Sequence, residues 1–289
     1  MFIQSNSFNA VLNYFREGLK NQFSDREIRK ISREIICSRM GWSEMEFMLN
    51  SHATFSESDL LFFRSKRKAL QNNEPFQYVI GEVYFYNLPL KIDRRALIPR
   101  PETEELVHLI LEQNKSKKRT VLDLGTGSGC IPLALQKARP EWKVFGVDVD
   151  QEALSLAIEN NQKNELDVQF SQLNILNENA HNMFLKQLDI IVSNPPYIPL
   201  NEKDKMAPHV VEHEPAKALF VQDRDPLLFY KHILKFAKLN LSPKGLLYLE
   251  IHEDLGSEVK ALLVQAEMKN VIIHKDLQGK DRMVTAAMN

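Results

Sequence analysis

The chain has 289 residues, 37 of them basic and 38 acidic, giving a net charge of −1, and 44% are hydrophobic. That length leaves room for two domains with real cores, and the even charge balance is a poor match to a protein that must neutralise many phosphates, which tilts any substrate away from duplex DNA. No apolar run of about 18 residues appears, Met1 to Phe15 lacks the basic and apolar regions of a signal peptide, and Cys37 and Cys130 form no C-x-x-C pair, so a cytoplasmic protein without a disulfide scaffold or thiolate zinc site is expected.

From Met1 to about Gln71 the apolar residues recur at three- and four-residue spacing: Phe8, Val11, Leu12, Phe15 and Leu19, then Ile28, Ile31 and Ile35, then Leu60, Phe63 and Leu70. Ser24 with Glu27, Ser43 with Glu46, and Ser56 with Asp59 read as capping boxes that start helices. A bundle of four or five helices is expected over residues 1–73, with Arg64 to Lys68 as a solvated helix face. Residues 74–98 change character. Gly81, Asn87, Pro89 and the aromatics of Val83-Tyr84-Phe85-Tyr86 predict a hairpin turning near Asn87, at the joint to a second domain over 99–289. Pro101 suits the first position of a helix running to about Gln113, with Glu102, Glu104 and Glu105 on the positive end of its dipole.

Beyond Thr120 strand and helix alternate, which predicts an α/β domain with a mainly parallel sheet. Val121 to Leu124 is its first strand and Val144 to Val147 its second. Further strands are expected near Val168 to Ser171, at Leu188 to Ser193, at Gly245 to Ile251, and in two short stretches near Val271 to His274 and Met283 to Ala287. Helices are expected at about Gln151 to Gln162, Pro226 to Leu239 and Leu255 to Ala266. The segment with Pro199, Pro208 and Pro215 reads as a loop. His209 and His213 have the spacing of a zinc pair, but those prolines and the lack of a third ligand argue against a metal.

Asp123-Leu124-Gly125-Thr126-Gly127-Ser128-Gly129 follows the first strand and opens a helix, so backbone N–H groups can approach a ligand closely and the helix N-terminus favours a carboxylate. Asp148 ends the second strand, placed to accept from ribose hydroxyls. A nicotinamide dehydrogenase is the rival, but the third glycine of G-x-G-x-x-G would fall at Cys130.

Asn194-Pro195-Pro196-Tyr197 closes the strand from Leu188, at the sheet edge where ligands of such folds bind. Each proline restricts the residue before it, so the Asn194 side-chain oxygen and the Pro195 carbonyl form a fixed acceptor pair for a planar –NH2 group, and Tyr197 offers a ring to lie against it. Such a pair suits methylation of a weakly nucleophilic nitrogen. Glu250, ending a later strand, reads as a structural or loop-anchoring carboxylate more readily than as a general base.

The tetrapeptide resembles the motif of amino-methyltransferases that act on adenine, guanine or glutamine amide nitrogen, and the Asp123 to Gly129 loop resembles that of class I S-adenosylmethionine methyltransferases. Together with Leu97 to Glu104, Glu214-Pro215 with Ala218-Leu219, Leu249-Glu250-Ile251, Asp276-Leu277 and Asp281-Arg282, these residues resemble the PrmC/HemK family of bacterial release factor glutamine methyltransferases over nearly the whole chain.

The resemblance implies a Rossmann-like fold behind a helical bundle that binds class I release factors, and methyl transfer from S-adenosylmethionine to the glutamine amide of their Gly-Gly-Gln motif. It implies cofactor contacts from Asp123, Gly125, Thr126, Gly127, Ser128, Gly129, Asp148 and Asn194, with Asn174 and Ile175 standing where adenine contacts usually fall. It further places Asn194 to Tyr197 at the reaction, with Arg100 and Glu102 at the mouth of the site. No direct DNA contact is expected, and a monomer is. A sister enzyme acting on a ribosomal-protein glutamine, a nucleic-acid amino-methyltransferase acting on a flipped base, and a silent binding module that keeps the fold are the alternatives.

Overall fold

The computed structural model describes residues 3–177 and 187–289. It divides into two compact units, Met1–Gly81 with Ala207–His213, and Glu82–Met206 with Glu214–Asn289.

In the smaller unit the helices are α1 (Phe8–Leu19), α2 (Asp25–Met40), α3 (Glu44–Leu49), α4 (Glu57–Gln71) and α5 (Phe76–Ile80). All three expected capping boxes form, each serine accepting from the backbone of the acid that bonds back to it. Their apolar stripes meet around Val11, Phe15, Ile35, Phe63 and Leu70. One expectation fails here. Arg67 is buried, because with Phe63 and Leu70 it occupies positions i+4 and i+7 of the core-facing stripe. Its guanidinium lies 3.6 Å from the centre of the Tyr14 ring and donates to the Tyr14 carbonyl at 3.1 Å. Lys66 donates to the Val79 carbonyl at 2.6 Å, which leaves Arg64, Ser65 and Lys68 as the solvated part of that cluster.

The larger unit begins with a hairpin of β1 (Glu82–Phe85) and β2 (Leu88–Lys91), expected as part of a linker and packed here with the core of this unit. Its turn residues Tyr86 and Asn87 have φ of 47° and 63°, the left-handed pair that matches strand twist in a two-residue turn. Then come α6 (Pro101–Gln113), β3 (Thr120–Leu124), α7 (Cys130–Ala138), β4 (Lys143–Asp148), α8 (Gln151–Lys163), β5 (Gln169–Gln172) and β6 (Leu188–Ser193). The proline-rich segment is more ordered than expected. It forms β7 (Ile198–Pro199), a 3-10 turn at Leu200–Lys205, α9 (Pro208–His213), which is counted with the smaller unit, and then α10 (Ala216–Leu219) and β8 (Phe220–Val221). Pro208 opens α9 instead of excluding it, since the first turn of a helix needs no N–H from that residue. The chain closes with α11 (Leu228–Asn240), β9 (Leu241–Glu250), α12 (Gly256–Gln265), β10 (Lys269–Lys275) and β11 (Asp281–Ala287).

Among the described residues the main sheet runs β10-β11-β9-β6-β3-β4-β5, parallel from β9 to β5 and antiparallel at β11 and β10. The chain steps outward from β3 to β5 and then returns to β6 on the other side of β3. That reversal opens a crevice at the carboxyl ends of β3, β4 and β6. Along β3 and β6 the side chains alternate between two cores, Leu122 and Ile191 on one face, Val121, Ile190 and Val192 on the other. Helix α6 covers the second face and is tied to β9 near both of its ends. Thr103 Oγ1 donates to Glu250 Oε2 at 2.7 Å, and just past its last turn Asn114 Nδ2 donates to the Tyr248 hydroxyl at 2.8 Å.

Candidate functional site

A cavity of about 320 Å3 occupies the crevice. Its lining includes Arg100, Gly125, Thr126, Gly127, Ser128, Asp148, Asn174, Ile175, Asn194, Pro195 and Pro196. Gly125 and Gly127 have φ of 78° and 54°, a conformation that side chains other than glycine's disfavour, and they turn the backbone from β3 into α7. Gly129 caps that helix; a Cβ there would lie 3.1 Å from Ala157 and 3.2 Å from Leu133 and Phe170.

Asp148 Oδ2 accepts from Gly127 N at 2.9 Å and Oδ1 from Asp150 N at 3.0 Å. The strand-end carboxylate thus shapes the glycine loop, and its lone pairs still leave capacity for a hydroxyl donor. Burial raises its pKa. Beneath the loop, Asp123 is fully buried, flanked in the sheet by Gly146 and Val192; among the described residues neither of its carboxylate oxygens makes a regular hydrogen bond, and the nearby Thr126 hydroxyl only partly offsets the burial. Burial pushes it up to about 7. The hydroxyls of Thr126 and Ser128, both lining the cavity, are also buried and make no regular hydrogen bond among the described residues. Orphaned buried polar groups are costly, so this cluster fits a polar, cationic ligand group.

At the opposite wall Asn194 Nδ2 donates to Thr103 Oγ1 at 3.2 Å. The Tyr197 hydroxyl donates to Glu250 Oε1 at 3.1 Å, so one buried carboxylate takes hydroxyls from both sides. Burial pushes Glu250 up to about 7 and the Tyr197 phenol upward as well. The Ser193 hydroxyl donates to the Leu124 carbonyl at 2.6 Å, joining the ends of β3 and β6.

Other expected site residues do not line the cavity. Tyr197 packs against the core with its ring edge-on to His252 at 6.1 Å, Glu102 is half-buried in the first turn of α6, and Asp123 and Gly129 lie behind the loop. Asn174 Oδ1 is taken by Leu176 N at 3.0 Å, leaving the amide –NH2 as a donor, and Ile175 packs on the core. Arg100 lines the cavity while donating to Glu214 at 2.6 Å, and Ile98 N donates to the other oxygen of that buried carboxylate at 3.2 Å.

Sequence reasoning gave Thr103 and Glu214 no role of their own, though both lie inside quoted motifs, and it missed Phe229 and Ile233, which contribute an apolar wall from α11. For Thr103 a signal existed, a hydroxyl on the apolar stripe of an amphipathic helix with Leu106, Val107 and Ile110. Cys130 opens α7, and burial pushes its thiol up to about 12. His213 Nε2 lies 2.9 Å from the Asn72 carbonyl, to which it donates, and the described residues contain no group of three or more side chains able to hold a metal ion.

Residues 103–222 match the family described as methyltransferase small domain, and residues 10–81 match the PrmC N-terminal domain. A release factor glutamine methyltransferase of Flavobacterium psychrophilum is 39% identical over 93% of this chain and 95% of its own length. One of Bacteroides thetaiotaomicron is 36% identical over 96% and 99%, and one of Lactococcus lactis 41% over 86% and 88%. Among solved structures, the hMettl16 catalytic domain in complex with a MAT2A 3′UTR hairpin aligns with a TM-score of 0.57 at 16% identity, covering 83% of this chain and 85% of that one. A Pyrococcus furiosus methyltransferase gives 0.52 at 18% identity over 70% and 89%. The larger unit has the class I methyltransferase fold, and the chain belongs to the family of release factor glutamine methyltransferases.

Proposed function

We propose that the protein transfers a methyl group from S-adenosylmethionine to the side-chain amide nitrogen, N5, of the glutamine in the Gly-Gly-Gln motif of class I peptide chain release factors. The observation that carries this reading is the meeting, in one cavity, of the glycine loop with Asp148 and the Asn194-Pro195-Pro196 turn. When bound, S-adenosylmethionine supplies a methyl on a sulfonium: the amide lone pair takes it as the C–S pair returns to sulfur, and loss of one N–H proton to water leaves N5-methylglutamine and S-adenosylhomocysteine.

The residues that would hold the cofactor fit it. From behind the loop Asp123 would supply negative potential toward its ammonium end, the loop from Gly125 to Gly129 would accommodate its carboxylate, Asp148 would accept from its ribose, and Asn174 with Ile175 would flank its adenine. Asn194 Oδ1 and the Pro195 carbonyl would accept the two N–H bonds of the glutamine amide. That favours a pyramidal nitrogen with its lone pair directed outward and requires no strong base at the moment of transfer. Arg100 and Glu102 stand toward the polypeptide, and Tyr197 acts from behind through Glu250. The helical unit is read as the part that engages the release factor, on a protein working as a cytoplasmic monomer.

The test is to incubate the protein with S-adenosylmethionine and an unmodified bacterial release factor, then examine the Gly-Gly-Gln peptide by mass spectrometry. One added methyl on that glutamine is expected. No methyl, with the cofactor bound, would overturn the assignment and direct the search to ribosomal-protein glutamines and then to nucleic acid.

A further inference from the structure

Asn194 carries two chemically opposite ends, and the proposed reaction needs a particular one of them toward the substrate. An amide presenting Oδ1 accepts a glutamine N–H; rotated by half a turn it presents –NH2, which meets that N–H as a second donor and repels it. Asparagine rotates readily about its last side-chain bond, so something must fix the choice.

The neighbouring hydrogen bonds contain that device. Thr103 Oγ1 has one hydrogen, and it stands 2.7 Å from Glu250 Oε2. An ionised carboxylate only accepts, so the hydrogen is spent there and the hydroxyl can only accept from its other neighbour. That neighbour is the Asn194 amide at 3.2 Å, which must therefore turn its –NH2 to Thr103 and leave Oδ1 as the end available for substrate. The Tyr197 hydroxyl occupies Glu250 Oε1 at 3.1 Å, so the carboxylate is held from both sides, and Arg282 of β11 adds a nearby positive charge that favours its ionised form.

We propose that Glu250 and Thr103 form a positioning relay that sets the direction of the Asn194 amide, so that a residue on β9 decides whether the site presents an acceptor or a donor. Neither residue exchanges a proton with the substrate; they act through Asn194. This rests on the assignment of Asn194 as the acceptor of the glutamine amide.

The relay separates two properties of Thr103 that a packing role would not. Its hydroxyl should matter to turnover and its methyl should not. Thr103→Val keeps the shape and removes the hydroxyl; Thr103→Ser keeps the hydroxyl and removes the methyl. With unmodified release factor at about pH 8, where Glu250 is ionised, Thr103→Val should lower kcat at least about tenfold, the scale expected when a reacting group loses its orientation. KM for the release factor and the calorimetric affinity for S-adenosylmethionine should stay within about twofold, and Thr103→Ser should retain kcat within about threefold of the parent.

A Thr103→Val protein with undiminished kcat, or one whose kcat and cofactor affinity fall together, would overturn the relay, as would a serine variant as impaired as the valine one. Those results leave the parent enzyme methylating its release factor. If the parent itself transfers no methyl while binding the cofactor, the proposed function falls and the relay falls with it.

Discussion

Replacing Asp123 by asparagine should make the cofactor-free protein more stable, and by an amount that depends on pH. Its carboxylate is fully buried and makes no regular hydrogen bond among the described residues, and burial, only partly offset by the nearby Thr126 hydroxyl, raises its pKa from an ordinary 3.8 to about 7. At 1.36 kcal/mol for each pH unit of displacement, this corresponds to roughly 4 kcal/mol of lost stability once both folded and unfolded chains are ionised. Below 3.8 the group is protonated in both states and contributes nothing. Between 3.8 and about 7 the unfolded chain ionises first, so stability falls steadily with rising pH, and above that range the penalty is constant. Asparagine carries no charge at any of these values. The advantage of Asp123→Asn should therefore be small near pH 4, grow through neutrality and level off at roughly 2–4 kcal/mol, the lower end allowing for relaxation around the site. Urea unfolding followed by Trp142 fluorescence reads it in the larger unit, with Trp42 replaced by phenylalanine in both proteins. S-Adenosylmethionine should stabilise the variant much less than the parent, since the buried negative group proposed to meet the cofactor ammonium is gone. A variant less stable at pH 8, or a difference that does not change with pH, would refute the reasoning.

Asn194→Ala should lower kcat by roughly 10²-fold or more while calorimetry finds cofactor affinity nearly unchanged, whereas Asp148→Ala should chiefly weaken cofactor binding, because that carboxylate also orders Gly127. Among the described residues Arg100→Ala leaves the fully buried Glu214 carboxylate with the Ile98 N–H as its remaining hydrogen bond, at an expected loss of about 2–3 kcal/mol in urea unfolding. Replacing both partners, as Arg100→Met with Glu214→Gln, should recover most of that loss. Ser24→Ala removes one side of the capping box of α2 and should cost the helical unit about 1 kcal/mol, measured through Trp42 with Trp142 replaced by phenylalanine.

What the sequence disclosed follows the range of the interactions involved. Helix starts are written within four residues, so Ser24, Ser43 and Ser56 could be read directly, as could the bounds of α6 at Pro101 and Gln113. The glycine loop and the Asn-Pro-Pro turn are equally local, because each is a backbone constraint carried by consecutive residues. Their presence on one cavity followed from the general rule for parallel sheets. The partners of Glu250 did not, since Thr103 lies 147 residues away and only the placement of α6 over β9 brings them together. Arg67 shows the opposite error: charge type outweighed position on the helix, although spacing from Phe63 placed it on the core stripe. The same bias treated Pro208 as a helix breaker when it is a helix opener.

The attachment of α6 to β9 near both ends restricts how this chain can change length. The two hydrogen bonds, from Thr103 and from Asn114, require their side chains to share one face of the segment. Adding or deleting a single residue between them would preserve the helix yet rotate one end by about 100° relative to the other. One bond would then be broken, and a break at the Thr103 end would free the Asn194 amide. Surface loops that do not border the cavity, such as the one between α6 and β3, can lengthen at little cost to the site. Within it, the count of residues is as much a part of the active centre as their identity.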